Sequence, residues 1–354
     1  MKFRYILAAA ALFSFVACNE KEVFEKEQYK NIFGFVCESD NTKEKIVSLH
    51  LDVATTYVSI SMGGSNTISQ DVTINFEEDP SLIDAYNSSN FDTDVAKYAI
   101  ALPEDKYDIE NYSCTIKAGE RLGVIPVKVY PAGLSVDKTY FIPLRVTDYD
   151  NAEMDPEKGT ILFQVGIKNH WAESTGTAYN MLGRRQNITD FTTGEPIEST
   201  ASEISMPGTK YVYPYANDEV RVFPGNETYS TDHHKMEQMG MIIEISADDG
   251  NEKDYQPEDP NEDAKGDKKR GVTLKPVRDL IVKMVEPTDP RYDDSYPNTY
   301  SILDDGFNVY KTFYLQYYYS VDGTTFYHMK EELRVEYKED KDVDEGFEVI
   351  EYEE

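Results

Sequence analysis

The sequence predicts an all-β protein, an N-terminal immunoglobulin-like sandwich followed by a second antiparallel β domain that is a sandwich or a barrel. Two observations carry the first half. Short apolar alternations of period two recur roughly every ten to twenty residues between Asn31 and Ile167, and clusters of Gly, Asn, Asp and Pro separate them. The third observation is compositional: 27 Tyr and 16 Phe stand against a single Trp, and aromatic residues favour the pleated, half-buried surface of a sheet.

In chain order, Met1-Lys2-Phe3-Arg4 is a basic start to an apolar run, Tyr5 to Ala17, that is too short to span a bilayer as a permanent helix. Residues 1–17 are therefore expected to be an export signal. Its end, Phe15-Val16-Ala17-Cys18, resembles the lipobox of bacterial lipoproteins, although it lacks the usual Leu at the first position. That resemblance implies a diacylated Cys18 as the new first residue, a tether over 18–30, and the outer membrane as a partner through the lipid anchor. Asn19-Glu20-Lys21-Glu22 resembles the acidic export signal that sends Bacteroidota lipoproteins to the cell surface; a plain charged tether facing the periplasm is the alternative.

The sandwich is expected over 31–168. Its strands are read at Ile32–Val36, Ile46–Leu51, Tyr57–Met62, Asp71–Phe76, Tyr98–Leu102, Ser113–Ile116, Val124–Val129, Tyr140–Val146 and Ile161–Val165. Pro126 and Pro143 fall inside strand patterns, which marks those strands as edges or bulged. A helix is expected at Pro80–Asn87, where Leu82, Ile83 and Tyr86 follow Asp79 as a possible N-cap. Cys37 ends the alternation Phe33, Phe35, Cys37 and reads as a buried thiol; a disulfide with Cys114 would need their strands side by side.

The order Val72-Thr73-Ile74-Asn75-Phe76, Pro80-Ser81-Leu82-Ile83-Asp84-Ala85-Tyr86-Asn87, Tyr107-Asp108-Ile109, Ile116-Lys117-Ala118-Gly119 and Tyr140-Phe141-Ile142-Pro143-Leu144-Arg145-Val146 resembles the N-terminal domain of Bacteroidota surface lipoproteins. The resemblance covers roughly a third of the chain. It implies a domain without assigned activity, of the kind found with starch-utilisation-type glycan uptake systems, whose proteins become candidate partners. It transfers no catalytic residue.

The second domain is expected over 169–354. Strands are read at Met239–Ala247, Leu280–Val285, Asn308–Ser320 and Thr325–Tyr337, the last two joined by the hairpin signal Asp322-Gly323. This half resembles, more faintly, the β domain that follows the first in that family. An acidic loop at 248–270 and an acidic tail after Glu339 interrupt and end it.

The charge of −31 excludes nucleic acid as a partner, because phosphate binding needs a basic surface. Catalytic scaffolds are absent: no GxSxG elbow, P-loop, GxGxxG or HExxH occurs. No metal or cofactor is expected, and Asp248-Asp249-Gly250-Asn251 and Asp304-Asp305-Gly306 read as acidic turns rather than calcium loops. Glu244, at an outward position of Met241–Ile245, is a poor general acid, and His233-His234 reads as a loop pair. The aromatic residues remain. Tyr314 and Tyr318 share the face of their strand opposite Phe313, Leu315, Tyr317 and Tyr319, and Tyr211, Tyr213 and Tyr215 repeat that spacing. Such rings either pack the sheet or stack on sugar faces; Trp171, at the domain junction, is a packing anchor or a further platform. The expectation is a non-catalytic surface lipoprotein that binds a polysaccharide or oligosaccharide. A structural or adhesive module contacting protein partners is the alternative.

Overall fold

The computed structural model of the protein describes residues 30–228, 233–246, 270–304 and 306–337. The expected signal, Cys18 and its tether up to residue 29 lie outside these residues, as do 247–269 and the tail beyond 337.

Alternation does what it predicts in the first domain. Eleven strands form it: β1 (Ile32–Phe35), β2 (Thr42–Ser48), β3 (Ala54–Met62), β4 (Val72–Glu78), β5 (Ile100–Ala101), β6 (Tyr107–Asp108), β7 (Ser113–Ile116), β8 (Leu122–Val129), β9 (Tyr140–Tyr149), β10 (Glu153–Met154) and β11 (Thr160–Lys168). They make two sheets, β10-β1-β3-β8-β6 and β2-β11-β9-β4-β7, with β5 paired to β9. Phe33, Val58, Ile60, Ile74, Val127, Ile142 and Phe163 from the two sheets meet in one core and are essentially inaccessible to water. Each such side chain contributes about 1.5–3 kcal/mol of hydrophobic stabilisation.

Three details go beyond the local pattern here. First, β2 pairs with β11 in parallel over seven residues, although an antiparallel sandwich is expected. No hairpin links these strands, so no turn imposes antiparallel pairing. Second, the Pro143 strand is interior and, of the two expected alternatives, carries an irregularity, its pairing with β4 shifting register between Asn75 and Phe76, while Pro143 itself stands at a change of partner. Pairing with β5 covers Tyr140–Phe141 and pairing with β4 stops at Leu144, so no ladder bond is lost. Third, the helix runs Ser81–Phe91, and the Asp79 carboxylate accepts the Ser81 N–H at 3.0 Å. Cys37 and Cys114 are both free, Cys37 half-buried and Cys114 buried. Burial pushes the Cys114 thiol up to about 11. Gly123 leaves room for it, since a Cβ there would lie 2.5 Å from its sulfur.

The second domain is antiparallel throughout. Its strands are β12 (Thr177–Ile188), β13 (Ile204–Ala216), β14 (Glu219–Val222), β15 (Met241–Ile245), β16 (Arg270–Pro276), β17 (Ile281–Met284), β18 (Thr299–Asp304), β19 (Val309–Ser320) and β20 (Phe326–Glu336). The order β19-β18-β16-β15-β14-β13-β12-β20 closes on itself through β19–β20 pairing, and β17 takes the edge of β19 beyond β18. The domain is thus a closed barrel. Tyr179, Met181, Val212, Ile243, Tyr300, Phe313, Leu315, Tyr317 and Met329 fill its interior, as eight strands allow. Asp322 shapes the β19–β20 turn by accepting the N–H groups of Thr324 and Thr325, with Gly323 at φ 69°. His233-His234 begins the helix His233–Met239 instead of lying in a loop.

At the start of the second domain, the Asn169 amide donates to the carbonyls of Ala216 (2.8 Å) and Glu219 (2.9 Å), and polar contacts then cross to the sandwich. The His170 N–H donates to His50 Nε2 at 3.1 Å. Asp137 of the sandwich forms an ion pair with Arg221 of β14, both largely withdrawn from water. No described helix is long and apolar enough to cross a membrane.

Candidate functional site

The aromatic hairpin offers no pair of rings to a ligand, contrary to expectation. Tyr318 is fully buried. Its ring stacks on Phe191 at 5.5 Å, and its hydroxyl donates to Asp289 at 3.0 Å. The cause is the 286–298 segment, which lies over the outer face of β19. The Gln316 side chain pins it there, accepting the Asp293 N–H (3.1 Å) and donating to the Asp293 carbonyl (3.0 Å). Tyr314 is half-buried in the same layer. Trp171 is 2 % exposed and packs edge-on against Tyr300 at 5.7 Å, with the Arg270 guanidinium 5.5 Å from its ring. It is a packing anchor. A cavity of 350 Å³ at the domain junction is lined by Trp171, His170 and Lys311.

The row on β13 is different. Tyr211 is 52 % exposed, Tyr213 half-buried and Tyr215 exposed. The Tyr213 ring lies against Gly176, where a Cβ would approach to 2.6 Å, and the Arg221 guanidinium sits 4.8 Å from its centre. Tyr213 is therefore held in place, and Tyr211 and Tyr215 are the rings presented to solvent.

Beside Tyr211 the barrel wall has a gap. Ile204–Val212 of β13 pair with β12, whereas β14 reaches only Tyr213–Ala216. The other edge of Ile204–Val212 therefore has no strand partner among the described residues. The chain after β14 turns away at Pro224-Gly225, and between it and the β13 edge runs a cleft of 680 Å³. Gly225 is required for this turn. It has φ 55°, its N–H donates to the Tyr317 hydroxyl at 2.9 Å, and a Cβ would lie 2.3 Å from the Tyr319 oxygen.

Polar side chains of the barrel interior support the cleft from beneath. Lys210, pointing inward, forms an ion pair with Glu331 at 2.5 Å, and Glu331 accepts the Tyr317 hydroxyl at 2.7 Å. Burial pushes the Lys210 ammonium down, against the pull of Glu331. Arg185 donates to Asn226 (3.3 Å) and to the Tyr319 hydroxyl (3.4 Å), its guanidinium 4.4 Å from the Tyr327 ring. Its Nε is buried without a hydrogen-bond partner among the described residues. Exposed ring, hydroxyls of Ser205, Thr209 and Thr228, and the Asn226 amide make a surface suited to stacking and hydrogen bonding. Glu244 faces outward and pairs with Lys275 at 2.6 Å. Among the described residues, no cluster of His, Cys, Asp and Glu could hold a metal ion.

Sequence reasoning placed Tyr211 and Tyr213 together and missed Arg185, Lys210, Asn226 and Glu331. One signal was available: in Met206, Gly208, Lys210, Val212 the alternation puts a lysine among inward positions.

A family model described as an N-terminal domain matches residues 24–153, and one described as a C-terminal domain matches residues 159–334. No curated protein matches the chain. Among solved structures, a Bacteroides ovatus protein of unknown function is similar at TM-score 0.59 and 13 % identity, covering 88 % of this chain and 98 % of its own. A second Bacteroides ovatus protein of unknown function reaches 0.54 at 15 % identity, covering 89 % and 93 %. A Bacteroides thetaiotaomicron protein described as an auxiliary nutrient binding protein reaches 0.53 at 14 % identity, covering 85 % and 94 %. At these identities the likeness is one of fold.

Proposed function

We propose that this chain, which carries an N-terminal and a C-terminal family domain in tandem on an all-β fold shared with Bacteroides proteins, is a non-catalytic cell-envelope lipoprotein that binds glycan as an accessory to polysaccharide uptake. The observation that carries the reading is the cleft beside Tyr211: an exposed ring for a sugar face, bordered by hydroxyl and amide groups for its hydroxyls. The basic-apolar start and Cys18 support export and lipid anchoring. The auxiliary nutrient binding protein of the same fold agrees with an uptake role.

Affinity electrophoresis through gels containing starch, xylan, arabinan, β-glucan or yeast mannan tests it. At least one polysaccharide should retard the protein, and Tyr211→Ala should restore its mobility. Migration unaffected by every one of them rejects the glycan reading. An adhesive or structural role is the second reading, favoured by the unpaired edge of β13, which could accept a partner strand. Two features of that edge oppose strand addition: Pro207 has no N–H to give, and Lys210 is an inward-pointing charge.

A further inference from the structure

Resting on the glycan reading, we propose that the cleft takes an extended internal run of neutral sugar residues laid along β13, and that it recognises neither a single sugar nor a chain end. The shape of the site carries this. Every residue from Ile204 to Tyr211 lines the cleft, and at the rise of a β-strand that stretch is roughly 25 Å long. Apolar groups mark its two ends. Ile204 is 48 % exposed at one and Tyr211 52 % exposed at the other, with the hydroxyls of Ser205 and Thr209 between them. The opposite bank supplies Asn226 and Thr228.

The floor keeps a ligand on the surface. Met181 and Met206 close it, and the Lys210–Glu331–Tyr317 chain lies within the filled barrel interior. A sugar therefore lies along the strand instead of entering end-on. Charge defines the class. The net charge of −31 repels a polyanionic chain; of the cations at the cleft, Lys210 is paired with Glu331, and Arg185 is engaged by Asn226, the Tyr319 hydroxyl and the Tyr327 ring. A uronate-bearing chain is therefore disfavoured, and hydroxyls and ring faces are left to provide recognition.

The probes are oligosaccharides of one to eight units cut from whichever neutral polysaccharide retards the protein, titrated calorimetrically into the full chain. Affinity should rise at least about tenfold from the monosaccharide to the longer oligomers and then level off. Borohydride reduction of the terminal sugar should change the affinity of the longest oligomer less than about twofold. Ile204→Ala should weaken only the long oligomers, Tyr211→Ala should weaken all, and Tyr215→Ala, outside the cleft, should weaken none. A monosaccharide bound as tightly as the octamer, or a large loss on reduction, overturns the proposal while leaving glycan binding intact. Failure of all polysaccharides to bind removes the glycan reading itself.

Discussion

A tyrosine ring left half in water contributes little to folding, so its removal reports on binding; a buried ring reports on stability. Tyr211 and Tyr318 are these two cases. Tyr211→Ala should lower glycan affinity about tenfold, or about 1.4 kcal/mol by calorimetry, with little change in urea midpoint. Tyr318→Ala should do the reverse. It removes a ring packed on Phe191 and His328 and leaves Asp289 without its phenol, at a cost of about 3–5 kcal/mol in urea unfolding. Equal binding losses for the two variants would contradict the assignment of Tyr318 to packing. Lys210 is a third kind of residue. Lys210→Met leaves Glu331 as a buried unpaired charge, which should destabilise the protein by about 3–5 kcal/mol, whereas Lys210→Met with Glu331→Leu should recover most of that loss. Urea unfolding of both variants measures it.

At the scale of elements, the cleft exists because one strand is long and its neighbour short. β13 runs Ile204–Ala216, and β14 offers it only Glu219–Val222 before Pro224-Gly225 diverts the chain. Gly225→Ala should therefore close or distort the cleft, because the new Cβ meets the Tyr319 oxygen and strains a positive φ. The expected result is a lower melting temperature together with weakened glycan retardation in the affinity gel. Undiminished retardation would show that the Phe223–Thr228 bank plays no part. Much of the element pattern was legible. The alternations of β3, β4 and β8, the apolar run of β11 and the Asp322-Gly323 turn were all placed from sequence. The long strands β12 and β13 were not, since Pro207, Gly208 and Pro214 in one and the run Gly183-Arg184-Arg185-Gln186-Asn187 in the other blur period two. Pro207 is tolerated because the edge of Ile204–Val212 away from β12 has no strand partner among the described residues.

For the whole molecule, the junction between sandwich and barrel should set the response to acid. Burial, with Lys311, His50 and Arg270 nearby, holds the His170 imidazole down to about 3 from its ordinary 6.5. Burial likewise lowers His328 to about 4. In the unfolded chain both take a proton near pH 6.5, whereas the folded chain resists until these lower values. Between them the unfolded state binds more protons, so stability falls as pH falls. Melting temperature should drop from pH 7 to pH 4, and His170→Asn should reduce the drop. An unchanged pH dependence in that variant would dissociate His170 from acid sensitivity. The Asp137–Arg221 pair should make the domains unfold together. Asp137→Ala leaves a buried guanidinium uncompensated, and a single calorimetric transition should then separate into two.

The sequence by itself determined that both halves are β and that the first is a sandwich, because period-two burial is a local property. It also showed the alternation of Tyr211, Tyr213 and Tyr215. Only the tertiary structure decided which tyrosines meet solvent. Tyr314 and Tyr318 have the same spacing as Tyr211 and Tyr215, but the upstream 286–298 segment covers one pair, while a short neighbour leaves Tyr211 at an open wall. Whether a strand face is covered depends on what the rest of the chain lays over it, which no local pattern encodes.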